Sequence, residues 1–168
     1  VGEASDRQKR SESSLSPEGG PIRAFMVPTL RASGDRRDSM SEPIVFIDSS
    51  EIRQGKLEEL KTAIKELVEF VESNEPRPIA YNVYLNEGGT RMTVVQVHPD
   101  SASMEFHMKV AGPAFSKFVE LIKLSTMDVY GKPSDDLLEQ MRQKVQMLGN
   151  ATVVVHELHA GFARFGIR

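Results

Sequence analysis

At 168 residues, 39% of them apolar, the chain suits one domain with a substantial core. A formal net charge of −3 supplies no polycationic field for bulk nucleic-acid binding, and no apolar run approaches the length that spans a bilayer. The lack of cysteine excludes disulfides, iron–sulfur clusters and thiolate metal sites, and fits a reducing cytoplasm, the expected location.

In chain order, residues 1–39 come first. They mix seven basic with six acidic residues, and their only apolar patch, Ala24-Phe25-Met26-Val27, runs into Pro28. Such a segment buries too little surface to offset its ordering entropy, so a disordered tail is expected. It matches neither a signal h-region nor a transit peptide. Val1 is what a GTG codon gives when translated literally, and "MSEPIVFID" reads as a bacterial start. Translation is therefore expected to begin at Met40, with 1–39 a misplaced-start artefact and a genuine regulatory tail as the alternative. Residues 40–168 are expected to form a single domain.

Ile44–Ile47 reads as a buried strand that Asp48-Ser49-Ser50 breaks. After Gly55, Leu57, Leu60, Ile64, Leu67, Val68 and Val71 recur at helical spacing, with charges on the other face, until Pro76 and Pro78 stop the helix. Two β-rich runs, 79–85 and 91–97, flank Asn86-Glu87-Gly88-Gly89-Thr90 and predict a hairpin. Asp100 and Ser101 are N-cap candidates for a helix beginning near 102, with Met104, His107, Met108 and Ala111 on one stripe. Gly112-Pro113 breaks or kinks it before Phe115, Phe118, Val119 and Ile122 resume the pattern. A short extended piece over 125–129 precedes the turn at Tyr130-Gly131-Lys132-Pro133. Ser134 then caps a helix with Asp135 and Asp136 in its first turn, and "ATVVVHELHAGFARF" is a last strand. The order β-α-β-β-α-(β)-α-β is an α+β, ferredoxin-like plait with an extra helix before the final strand.

Helices in such a plait cover one sheet face, and a monomer would keep the other polar. Here apolar residues stand on both faces: Ile79, Tyr81, Val83 and Leu85 on one strand, Met92 and Val94 against Val95 and Val97 on the next. A second copy of the sheet is the economical cover, which predicts a homodimer through sheet faces.

Residues 44–165 resemble the dimeric α/β-barrel superfamily, in particular its antibiotic-biosynthesis-monooxygenase-like branch. The carriers are "RQGKLEELKTAIKELVEF", "IAYNVYLNEGGTRMTVVQVHPDSASMEFHM" and "VYGKPSDDLLEQM". The resemblance implies oxidation of an aromatic or quinol-like metabolite with no bound cofactor. Members that degrade haem rely on a tryptophan, which this chain lacks. Quinol-type oxidation needs a pocket between sheet and helices and a polar group that deprotonates or orients the phenol. Asn82 and Tyr84 on the hairpin strand and His107 on the facing helix are the catalytic candidates, expected to converge. The competing reading of His107 is a hydrogen-bonded packing residue, and that of the whole protein a non-catalytic ligand-binding or stress-associated dimer.

No metal site is expected. The histidines of "HELH" at 156–159 are three apart in an apparent strand, so they point to opposite faces and cannot chelate one ion. His98 and His107 can meet across the strand–helix junction, but no third ligand is evident. The methionines read as core filler, and Gly88-Gly89 as a hairpin turn.

Overall fold

In the computed structural model, which describes residues 42–164, the chain runs β1 (Ile44–Ile52), α1 (Leu57–Asn74), β2 (Ala80–Leu85), β3 (Arg91–His98), α2 (Ser101–Ala111), a 3-10 segment (Gly112–Phe118), β4 (Ile122–Tyr130), α3 (Asp135–Leu148) and β5 (Thr152–His156). The expectations for residues 1–39 lie outside the described residues. Among the described residues no helix is long and apolar enough to cross a membrane.

The five strands form one sheet in the order β2-β3-β1-β4-β5. The first four are antiparallel, as in a ferredoxin-like plait. β5 adds to β4 in parallel, a geometry that needs a crossover, and α3 supplies it. The α+β plait with an extra helix thus stands as the order of elements predicted it.

Strand alternation decides which side chains meet the helices. Ile44, Phe46, Met92, Val94, Leu124, Met127 and Val129 are buried on the inner face, against Leu60, Met104, Phe115, Leu137 and Met141. Asp100 caps α2 by accepting from the Ser103 amide at 2.7 Å, and Ser134 caps α3 by accepting from the Leu137 amide at 3.1 Å. Each cap satisfies an otherwise unpaired N–H of a first turn.

Three boundaries differ from expectation. β1 does not stop at Asp48-Ser49-Ser50 but pairs with β3 through Glu51, because Asp48 and Ser50 continue the inward alternation and Ser49 hydrogen-bonds Thr93 on the outer face at 3.0 Å. The resumed helix after Pro113 is only a 3-10 segment, and Ile122 opens β4, three residues earlier than predicted. β5 ends at His156, so the last strand is shorter than its apolar run.

Candidate functional site

Between sheet and helices lies an unusual concentration of buried polar side chains: Asp48, Ser50, Glu75, Gln96, His98, Ser103, His107 and Lys144. Buried polar groups destabilise unless paired, so the hydrogen bonds in this layer define what it can do.

His107 sits on α2, fully buried, and its Nδ1 faces the Glu75 carboxylate at 2.9 and 3.1 Å. Glu75 ends α1 in an extended conformation, φ −125° and ψ 92°, which turns its side chain off the helix's polar face and into the core. The proline that follows disfavours a further helical residue there. A carboxylate at Nδ1 fixes that nitrogen as the donor and leaves Nε2 as the basic one. The His107 Nε2 is buried and has no hydrogen-bond partner. Around the imidazole stand Tyr81, His98 and Phe115, with ring centroids 5.4, 5.7 and 6.0 Å away.

His98, at the end of β3, has both nitrogens engaged: Nε2 donates to the Gln96 side-chain oxygen and Nδ1 accepts from the Ser103 hydroxyl, each at 3.0 Å. Burial, reinforced by His107, pushes its pKa down to about 4. Burial, with Asp48 and Glu75 adding to it, pushes the Tyr81 phenol above its ordinary value, so that hydroxyl is a proton donor at neutral pH.

Beyond Tyr81 and Phe115 lies a small, partly open pocket of about 30 Å³, whose lining also includes Asp48, Ser50, Val83, Phe118 and Lys144. A space of that size holds one or two waters. His107 stands one side chain behind its wall, since Tyr81 and Phe115 both line the cavity and pack on the imidazole. On its other side Tyr81 lines an outer cleft of about 440 Å³, formed by the end of α1 and residues 75–80. Lys144 crosses from α3 to Asp48 on β1 at 2.8 Å, with only 7% of the lysine side chain exposed.

The three residues expected to converge are not brought together. His107 is on the inner face, as the Met104–His107–Met108 stripe implied. Asn82 and Tyr84 are exposed on the outer face, opposite Val95 and Thr93. The strand's apolar set, Tyr81, Val83 and Leu85, takes the helix side, and a period of two sends 82 and 84 the other way. His98 and His107 do meet, as their placement suggested. Among the described residues no group of three or more His, Cys, Asp or Glu residues is placed to hold a metal ion. His156 pairs instead with Asp128 at 2.8 Å.

Sequence reasoning missed Glu75, Tyr81, Asp48 and Lys144. Two of them carried a signal. Lys144 falls at helical spacing from Leu137, Met141 and Leu148, which puts a cation on an apolar stripe, and Asp48 shares the period-two face of Ile44 and Phe46.

No family model matches the chain, and no curated protein matches it. Among solved structures, MupZ from Pseudomonas fluorescens superimposes with a TM-score of 0.58 at 21% identity, covering 73% of this chain and 94% of its own. SnoaB from Streptomyces nogalater, described as a cofactor-independent oxygenase, covers 56% of this chain and 96% of its own at 10% identity. Its TM-score of 0.47 is too low to bear on this chain's chemistry. At these identities the likeness to MupZ speaks for the fold alone.

Proposed function

We propose that the protein is a small cofactor-independent monooxygenase acting on an aromatic or quinol-like metabolite, with His107 as general base. One observation carries this reading: the Glu75–His107 pair, whose imidazole is oriented by a buried carboxylate and whose Nε2 is left without a partner. A buried polar atom with no partner is costly unless a ligand or a reaction step uses it. The resemblance of residues 44–165 to the monooxygenase-like branch supports the same choice. In this role Nε2 takes the proton of a phenolic or activated C–H group, and the resulting anion reacts with dioxygen. One oxygen atom then joins carbon as a carbonyl while the other leaves as water with the two hydrogens removed. Glu75 is a positioning residue that stabilises the imidazolium. Asn82 and Tyr84 face away from this base and can reach a ligand only from the outer sheet face.

A second reading is a non-catalytic ligand-binding or stress-associated dimer, and an interior too filled for a substrate favours the absence of catalysis over either ligand-dependent role. Ligand pockets are usually several hundred Å³, so an aromatic ring must displace Tyr81, Phe115 or Phe118 to reach Nε2. Oxygen uptake, screened against quinols and polyphenols, decides between the two. On an active substrate His107→Gln should lower the rate by roughly 10²–10⁴-fold. An unchanged rate would remove His107 as the base; no uptake on any aromatic would leave the non-catalytic dimer.

A further inference from the structure

We infer that the outer cleft between the end of α1 and β2 is a binding site for an organic cation, an ammonium group on an apolar body, and that Glu75 is its anchor. This site lies apart from the small pocket beside Lys144, and binding there is independent of the oxygenase reading.

The cleft, at about 440 Å³, has the size of a ligand site. Val68, Val71 and Ile79 give it apolar walls, and two carboxylates, Glu72 and Glu75, share it with Tyr81. Glu72 alone would mean nothing, since an exposed acid on a helix is an ordinary solvated charge. Glu75 differs. Its side chain is fully buried, yet its two oxygens share a single N–H, that of His107 Nδ1. A carboxylate has about four acceptor sites and, when buried, is stabilised by several donors. The chain beside it cannot supply them. Pro76 and Pro78 line the same wall and have no N–H, and the Arg77 side chain between them is paired with Asp100. The Tyr81 hydroxyl likewise forms no hydrogen bond among the described residues.

Water can supply hydrogen bonds to Glu75 but no charge. A neutral imidazole at Nδ1 leaves the charge of Glu75 uncompensated, Glu72 adds a second, and no cationic side chain among the described residues lines the cleft. A ligand ammonium meets both needs. Its N–H groups complete the acceptors of Glu75, its charge offsets the two carboxylates, and the Tyr81 ring attracts it. An anion would instead face two like charges. Because Glu75 also holds the His107 N–H, filling the cleft is felt at that imidazole.

n-Butylammonium, 1-butanol and butyrate share one chain length and differ in charge, so NMR titration of the whole chain at fixed ionic strength separates them. n-Butylammonium is expected to bind at least about 10-fold more tightly than 1-butanol, the effect of a hydrogen bond to a charged group. Butyrate should bind more weakly than either. The ring signals of His107 should move along the ammonium titration curve, while those of His156, on the outer sheet face, stay in place. Glu72→Gln should weaken ammonium binding roughly 2- to 5-fold, as loss of an exposed charge does, and Glu75→Gln should abolish the preference over 1-butanol. Should Glu75→Gln fail to fold, the three ligands and the His107 signals of the wild type still decide. Ammonium binding no tighter than that of 1-butanol overturns the inference. So do binding of none of the three, tightest binding of butyrate, His107 signals that do not follow the ammonium, and a preference that survives Glu75→Gln.

Discussion

His98 has a neutral imidazole built into its surroundings, with one nitrogen donating to Gln96 and the other accepting from Ser103. Its folded pKa of about 4 lies below the value of about 6.5 expected for an unfolded chain. Between those limits the unfolded state binds the extra proton, so stability rises with pH. The contribution is complete above about pH 6.5 and is lost as pH falls toward 4, a change of about 3 kcal/mol at its limit. Urea midpoints followed through that window should fall more steeply for the wild type than for His98→Gln, which has no proton to take up. Parallel curves would mean that His98 does not couple to folding. Carboxylates that titrate in the same range affect both proteins alike and drop out of the comparison.

Among the elements, α3 ends at Gly149, which packs directly against the backbone of β4. A Cβ built on Gly149 would lie 2.5 Å from the Leu124 carbonyl oxygen and 2.9 Å from its amide nitrogen. Both are backbone atoms of β4 and cannot rotate aside, so Gly149→Ala must push α3 off the strand. The expected cost is about 1–3 kcal/mol, read as a lower melting temperature. How much of such an element is visible in the sequence depends on what holds each part. α1, the hairpin and the caps of α2 and α3 were legible because periodicity, turn glycines and capping side chains act locally. β1 beyond Ile47 was not, since Asp and Ser are ordinary turn formers and only the distant Lys144 and Thr93 make them strand residues. Glu75 likewise resembles the last charge of a solvated helix until the chain's turn at Pro76 carries it inward. In the candidate site, the inward stripe containing His107 could be read directly, but its carboxylate partner, 32 residues away, could not.

For the whole molecule, the outer sheet face poses the remaining packing question. Val45, Ile47, Val95 and Val97 are half-buried there by their neighbours, and no helix among the described residues covers them. Tyr84, Tyr130 and Val154 extend the same face and are exposed. We propose that a second copy covers it. Sedimentation at about micromolar concentration should then report twice the 18.7 kDa chain mass. Val95 lies between Ile47 and Asn82 near the middle of that face, so Val95→Asp should yield a folded monomer by burying an unpaired charge in the seam. A monomeric wild type would show that this face is tolerated in water.

β1 is the first strand of the sheet in sequence, yet it lies at the centre, hydrogen-bonded to β3 on one side and β4 on the other. Its partners in β3 are about 40 to 54 residues away and those in β4 about 70 to 85, so its closure is costly in chain entropy while the β2–β3 hairpin is local. The strand synthesised first therefore waits for the chain that follows, and once closed it opens only with the whole sheet. Amide hydrogen exchange would show this as a gradient, fastest in β2 and β5, which are paired on one side only among the described residues, and slowest at Phe46 and Ile47.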